Sequence, residues 1–430
     1  MLITTTVSFL AFGKLRASQL RRGLVRSSDR QSRPSTTRVA KAALAVLALA
    51  TGNGIAWNLL FLQAQPTVFV DLDYYRAALV TVVAQQPLYP SLPYPPVAVL
   101  VIAWLGVLPV LLGNQVWTAL TLLGCIVLAM VVAKRSLQAE ADQGTQLLDY
   151  ALPGALLAFL LLGSTPMLSQ ITNGQVTLLI ITLAFLDVAQ VLPRKAQGML
   201  VGIAAAIKLT PLIFIPYYLV TGQRRQAAVA TASFSLVTAL GFALFPSDSL
   251  FFWAHLGKND QFGDPARTDN LSIHAALARW LPAVDQMPLA WIILGLVVAG
   301  FALLRARRHF RDGDVMASAL TIGASSVVLA PITWPHYDVW VVLAGLWLML
   351  APDRRSKLLG LGVYLVFSLP FAALVLPAAE VSLLARAVLE LGVLVPVLIG
   401  LFGLPRRPRA TPHTSPSAPV GQPDAAATAA

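Results

Sequence analysis

From Ala40 to Phe402 the sequence is a succession of apolar runs, several long enough to cross the roughly 30 Å of a bilayer's hydrocarbon core as helices. In hydrocarbon every backbone N–H and C=O needs an internal partner, so such runs fold as helices or as a closed barrel. Barrel strands alternate apolar and polar residues over about ten positions; these runs are continuous. Composition agrees, with 57% hydrophobic and 12% charged residues and a mean hydropathy of +0.73, whereas soluble domains carry about a quarter charged residues. The expected fold class is an all-α polytopic membrane protein with about 11–13 transmembrane helices.

The formal net charge of +12 does not point to nucleic acid, because the basic residues cluster between apolar runs, as the positive-inside rule requires. Residues 14–41 carry nine Lys/Arg against the single acid Asp29, and read as a basic cytoplasmic arm (domain 1–41). A first span over about Ala42–Leu62 then opens a transmembrane domain over 42–404, and a Pro/Ala/Ser/Thr-rich tail over 405–430 reads as disordered. The short apolar start Met1–Gly13 precedes the basic residues, the reverse of a cleavable signal. Further basic clusters follow at Lys134/Arg135, Arg194/Lys195, Arg224/Arg225, Arg305–Arg311, Arg354–Lys357 and Arg406–Arg409. Placing them all in the cytoplasm puts the Asp71 loop, Asn173–Gln175, Lys208–Pro211, Asp248–Asp285 and Ile332–His336 on the outer face. One conflict arises. Residues 96–112 and 115–133 read as two segments, so either one is short and re-entrant or Lys134/Arg135 breaks the rule.

Val70–Pro96 is the first polar interruption, with Asp71, Asp73, Arg76 and four tyrosines (Tyr74, Tyr75, Tyr89, Tyr94). A carboxylate pair beside an arginine at the mouth of a hydrophobic bundle marks a candidate site. On a helix running to about Val83, Asp73 faces Arg76 at i+3 and Asp71 is left as an N-cap. On extended chain the two acids share a face, and a carboxylate kept from water is a candidate general base. The tyrosines, with Tyr94-Pro95-Pro96, read as interfacial belt and helix start.

Elsewhere each polar interruption has two readings. Asn173-Gly174-Gln175 is a turn, or its amides bind sugar hydroxyls. Lys208, deep in apolar sequence, snorkels or pairs with a phosphate. Lys258, Arg267, His274 and Arg279 meet an anionic head group or are solvated. His336 is a hydrogen-bonded structural histidine, or a proton-transfer or phosphate contact. The single cysteine, Cys125, excludes a disulfide framework and a thiolate metal site. With no Walker loop, GxSxG or HExxH motif present, neither a metal nor a cofactor is expected.

Taken together, VDLDYYRAA…PLYPSLPYPPVAVL, NGQVTLLIITLAFLD, GIAAAIKLTPLIFIPYYL, NLSIHAALAR and APITWPHYDVWVV resemble glycosyltransferase family 87. These are polyprenol-phosphate-mannose-dependent mannosyltransferases with the GT-C membrane fold. The resemblance covers residues 40–350 or so and implies a GT-C-type bundle with its active site on the outer face of the plasma membrane. It implies that Asp71 is the catalytic acidic residue, with Asp73 a second acid beside it. Lys208, His336 and Arg279 would bind the donor phosphate, and Tyr75, Arg76, Gln175, Asn270 and Ser272 the sugar or acceptor. The family often has a serine where this chain has Thr333, a mild departure. The substrates implied are polyprenyl-phosphate mannose, or a related sugar on the same lipid, and a glycolipid or glycan acceptor, met among membrane lipids. The rival class is a transporter or flippase for a lipid-linked sugar, which would use the same cations but no base; the inverted repeats that would favour it are not seen.

Overall fold

The computed structural model describes residues 69–89, 92–138, 147–256, 264–281, 283, 289–368 and 382–406. The expected N-terminal arm, first span, Lys258 and all but the first two residues of the tail lie outside this set. Among the described residues the chain is helical and has no strand. The helices are α1 (Val70–Val83), the short irregular α2 (Pro96–Val107), α3 (Val110–Gln138), α4 (Leu147–Leu162), α5 (Thr165–Asn173) and α6 (Thr177–Val188). They continue as α7 (Met199–Ile207), α8 (Thr210–Val220), α9 (Arg224–Leu244), α10 (Pro246–Ala254) and α11 (Ile273–Trp280). The last set is α12 (Ala290–Arg311), α13 (Val315–Ser326), α14 (Val339–Met349), α15 (Arg354–Val366), α16 (Leu383–Leu389) and α17 (Leu391–Phe402).

Three described helices, α3, α9 and α12, are long and apolar enough to cross a membrane, and α4 with α5 adds a fourth if that pair, bent by 70°, is one span. This is an all-α membrane protein. Among the described residues, fewer helices are long enough to cross alone than the 11–13 expected, because several apolar runs fold as shorter pieces. In the 96–133 stretch the chain breaks at Leu108–Pro109, so α3 is one 29-residue helix, long enough to cross a membrane, and α2 a short one.

The basic clusters do meet. Arg135 at the end of α3 donates to the carbonyls of Ala189 (2.7 Å) and Gln190 (2.8 Å) past the end of α6. Arg225 at the start of α9 donates to those of Arg194 and Lys195 before α7. Ser318 of α13 bonds Tyr217 of α8 and the carbonyl of Ala306 in α12, joining those helices at the same end. Asp187 fixes the entry to α7, accepting from the backbone of Gly198 (2.6 Å) and Val201 (3.0 Å).

Between these basic turns α7 and α8 form a hairpin. Its arms of 9 and 11 residues reach only about 14–17 Å at 1.5 Å per residue, roughly half the hydrocarbon thickness. The apex is Lys208–Pro211, where Pro211 stops the α7 ladder from continuing. The 12-residue α6 is similarly short. Long α3 and α9 therefore flank short α6, α7 and α8. A large apolar core holds these helices to α13, α14 and α15, and a second cluster of α1, α2 and the Leu88–Tyr94 loop covers the apex side.

Candidate active site

The helix carrying the acids runs over Val70–Val83, and its polar side is set out as the helical reading required. Asp73 pairs with Arg76 at 2.8 Å, and the Asp73 side chain is 72% exposed. Arg76 also donates to Asn114 (2.5 Å) and to the Val110 carbonyl (3.2 Å), tying α1 to the start of α3. Asp71 is not the N-cap. Phe69 occupies that position with φ +66°, and Asp71 falls in the first turn. Leu72 turns inward against Gly174, whose φ of +68° ends α5. A Cβ there would lie 2.5 Å from Leu72 Cγ, so this turn requires glycine.

That contact brings Gln175 onto Asp71. The Gln175 Nε2 donates to Asp71 Oδ2, while its Oε1 accepts from Tyr94 Oη (3.2 Å) and Thr177 Oγ1 (3.4 Å). Tyr94 meets the hydroxyl of buried Tyr75 at 3.3 Å, which in turn accepts from the Val176 amide (3.2 Å). Behind the turn, fully buried Gln170 donates to the Gln175 carbonyl and accepts from the Leu178 amide. It spans the break between α5 and α6.

From the hairpin apex, Lys208 Nζ donates to Thr177 Oγ1 at 2.7 Å. It lies 4.1 Å from the Tyr337 ring centroid and 5.3 Å from that of Tyr94, in cation–π range. No carboxylate forms a salt bridge with it among the described residues, although Asp71 is within electrostatic reach. Lys208 is only 6% exposed, so it does not snorkel to a surface. Burial raises the Asp71 pKa above the usual carboxylate range, opposed by the Gln175 hydrogen bond and the Lys208 charge. Among the described residues, His336, 2% exposed on the turn Pro335–Asp338, has neither ring nitrogen hydrogen-bonded. Asp338, two residues on and fully buried, likewise has neither carboxylate oxygen hydrogen-bonded.

Three expected site residues are engaged elsewhere. Arg279 forms a two-pronged pair with Glu390 (2.6 and 2.9 Å) and donates to the carbonyls of Arg267 and Asn270. Asn270 Oδ1 accepts from the amides of Ser272 and Thr333. Ser272 caps α11 and donates to the Pro331 carbonyl. With Thr333 holding the Val327 carbonyl, they lock the 264–281 segment onto the loop that presents His336. Arg267 pairs with Asp269 and lies over the Trp334 ring. Residue-by-residue reading missed Tyr94, Thr177, Tyr337 and Gln170. A hydroxyl two residues after Gln175 was a visible signal for Thr177. Tyr94 and Tyr337 had none beyond their place in the polar stretches.

The description "Glycosyltransferase family 87" matches residues 92–333. A Mycobacterium tuberculosis protein named polyprenol-phosphate-mannose-dependent alpha-(1-2)-phosphatidylinositol mannoside mannosyltransferase is 32% identical over 45% of this chain and 45% of its own length. One of the same name from Mycolicibacterium smegmatis is 27% identical over 77% of this chain and 82% of its own. A second from that organism, named as a phosphatidylinositol pentamannoside mannosyltransferase, is 27% identical over 79% and 84%. No solved structure matches the chain.

Proposed function

This membrane protein belongs to glycosyltransferase family 87, and from that premise we propose that it transfers a mannosyl residue from polyprenyl-phosphate mannose to a glycolipid acceptor. The acceptor class is a phosphatidylinositol mannoside, which the names of the relatives support. The reaction takes place on the outer face of the plasma membrane, at the polar ends of the short helices, opposite the basic turns.

The observation that carries this reading is a half-buried carboxylate, Asp71, facing a buried ammonium, Lys208, across one small polar cluster. Asp71 takes the proton of the acceptor hydroxyl as its oxygen bonds to the anomeric carbon. The bond from that carbon to the phosphate oxygen breaks, and its electron pair leaves with the polyprenyl phosphate, which needs no general acid. Among the described residues Lys208 is hydrogen-bonded to Thr177 and lies over the Tyr94 and Tyr337 rings, with no carboxylate in salt-bridge contact, so its charge can meet the phosphate. His336 brings one ring N–H to the same role. A preorganised donor of this kind in a site kept from water is worth about 3 kcal/mol. Arg279 is left to the clamp with Glu390. The acceptor and the phosphate arrive at the polar ends of α6 and α7, and the prenyl tail lies between helices.

Membranes containing the protein, supplied with labelled mannose on polyprenyl phosphate and a phosphatidylinositol mannoside, test the proposal. Labelled product from the wild type and none from Asp71→Asn is the expected result. Movement of the labelled lipid between leaflets without product would replace it with transport.

A further inference from the structure

We infer that Gln175 is a positioning residue that holds Asp71 by Oδ2 and leaves Oδ1 to accept the proton, an assignment that rests on Asp71 being the base. A backbone N–H only donates, so the Tyr75 hydroxyl accepts from the Val176 amide (3.2 Å). It lies 3.3 Å from the Tyr94 hydroxyl, which donates to Gln175 Oε1 (3.2 Å). Lys208 stands on the other side of the amide. The Lys208 ammonium donates to Thr177 Oγ1 (2.7 Å), and Thr177 donates to the same Oε1 (3.4 Å).

Two hydroxyls thus meet a single amide oxygen. The Asp71 carboxylate only accepts, so the amide end turned to it is NH2. Flipping the amide would set Oε1 against the carboxylate. Gln170 adds the backbone half of the restraint by holding the Gln175 carbonyl. Among the described residues no hydrogen bond reaches Asp71 Oδ1. With Oδ2 engaged by Gln175, Oδ1 is the oxygen left open to the acceptor. This differs from the expected role of Gln175 as a sugar ligand, because both ends of its amide are already occupied by the protein.

The groups facing Asp71 are Lys208 from the hairpin apex, Tyr337 from the Pro335–Asp338 turn, Tyr94 from the loop and Tyr75 on its own helix. Asp73 on the same helix is neutralised by Arg76. The Gln175 N–H stabilises the ionised carboxylate, so losing it raises the pH at which Asp71 takes up a proton. Activity that needs the carboxylate is lost as pH falls through that point, and the acid limb of the profile therefore moves upward.

The test is the pH profile of turnover for the full-length protein in bilayer nanodiscs, with polyprenyl-phosphate mannose and a phosphatidylinositol mannoside as substrates. Gln175→Leu should move the acid limb up by about one pH unit and recover turnover at high pH. Gln175→Glu, close in shape, adds a like charge and should move it further. Tyr94→Phe, which removes one of the two orienting hydroxyls, should give a smaller shift in the same direction and keeps the test open if Gln175 variants do not fold. A raised acceptor KM with an unmoved limb in all three would make Gln175 a sugar ligand and overturn the inference. Near-normal turnover by Asp71→Asn, a separate measurement, would remove the base itself.

Discussion

Asp71 and Asp73 are two positions apart on α1 and meet different surroundings. Asp71 is turned toward Gln175 and Lys208, whereas Asp73 is on the surface with Arg76, an exposed pair of the kind worth at most about 1 kcal/mol. Asp71→Asn keeps the shape but not the proton acceptance, so transfer should fall by about a hundred- to ten-thousand-fold with donor binding retained. Asp73→Asn should cost far less. Equal loss in both variants, in the same transfer assay, would contradict this division. Lys208 offers a second check. Lys208→Met should abolish transfer while the protein still inserts, and Lys208→Arg should restore part of it, because charge survives while geometry changes. Full activity in Lys208→Met would send the phosphate site elsewhere.

At the level of elements, the site depends on how broken helices are held in register. Gly174 lets α5 end against Leu72, and Gly174→Ala would force a Cβ into that side chain at an unfavourable φ. It should lower thermal stability and turnover together although it touches no substrate; an unchanged melting temperature would show that the turn can relax. The Arg279–Glu390 pair makes a second case. The Arg279 side chain is 1% exposed, and stranding a buried charge costs about 3–5 kcal/mol. Arg279→Met and Glu390→Gln should therefore lower stability alike and leave the donor KM alike. A donor KM raised by Arg279→Met alone would return Arg279 to the phosphate.

For the whole molecule, the basic turns gather at one end and the Asp71–Lys208 cluster lies at the other end of α6 and α7. In a Cys125→Ser background, cysteines at Asp269 and at Arg308 should react with impermeant reagent from opposite sides of the membrane, Asp269 from outside. Labelling of both from the same side would break the arrangement. The arms of the α7–α8 hairpin span only about half the hydrocarbon thickness, and Lys208 at its apex is buried.

The sequence by itself determined the fold class, the gathering of basic turns and the place of Asp71, Lys208 and His336, because each depends on residue type and local order. Continuous apolar runs dictate helices in hydrocarbon, and a lone lysine within one has to be explained. The helical reading of the stretch also placed the Asp73–Arg76 pair at i+3 and the end of the helix at about Val83. Only the tertiary structure decided that α2 and α3 are one short and one long helix, because their boundary is a local break at Leu108–Pro109 inside unbroken apolar sequence. It alone assigned Arg279 to Glu390, 111 residues away. It alone brought Tyr94, Thr177 and Tyr337 around Lys208, because hydrogen-bond and ring partners across separate helices leave no periodic mark in the chain.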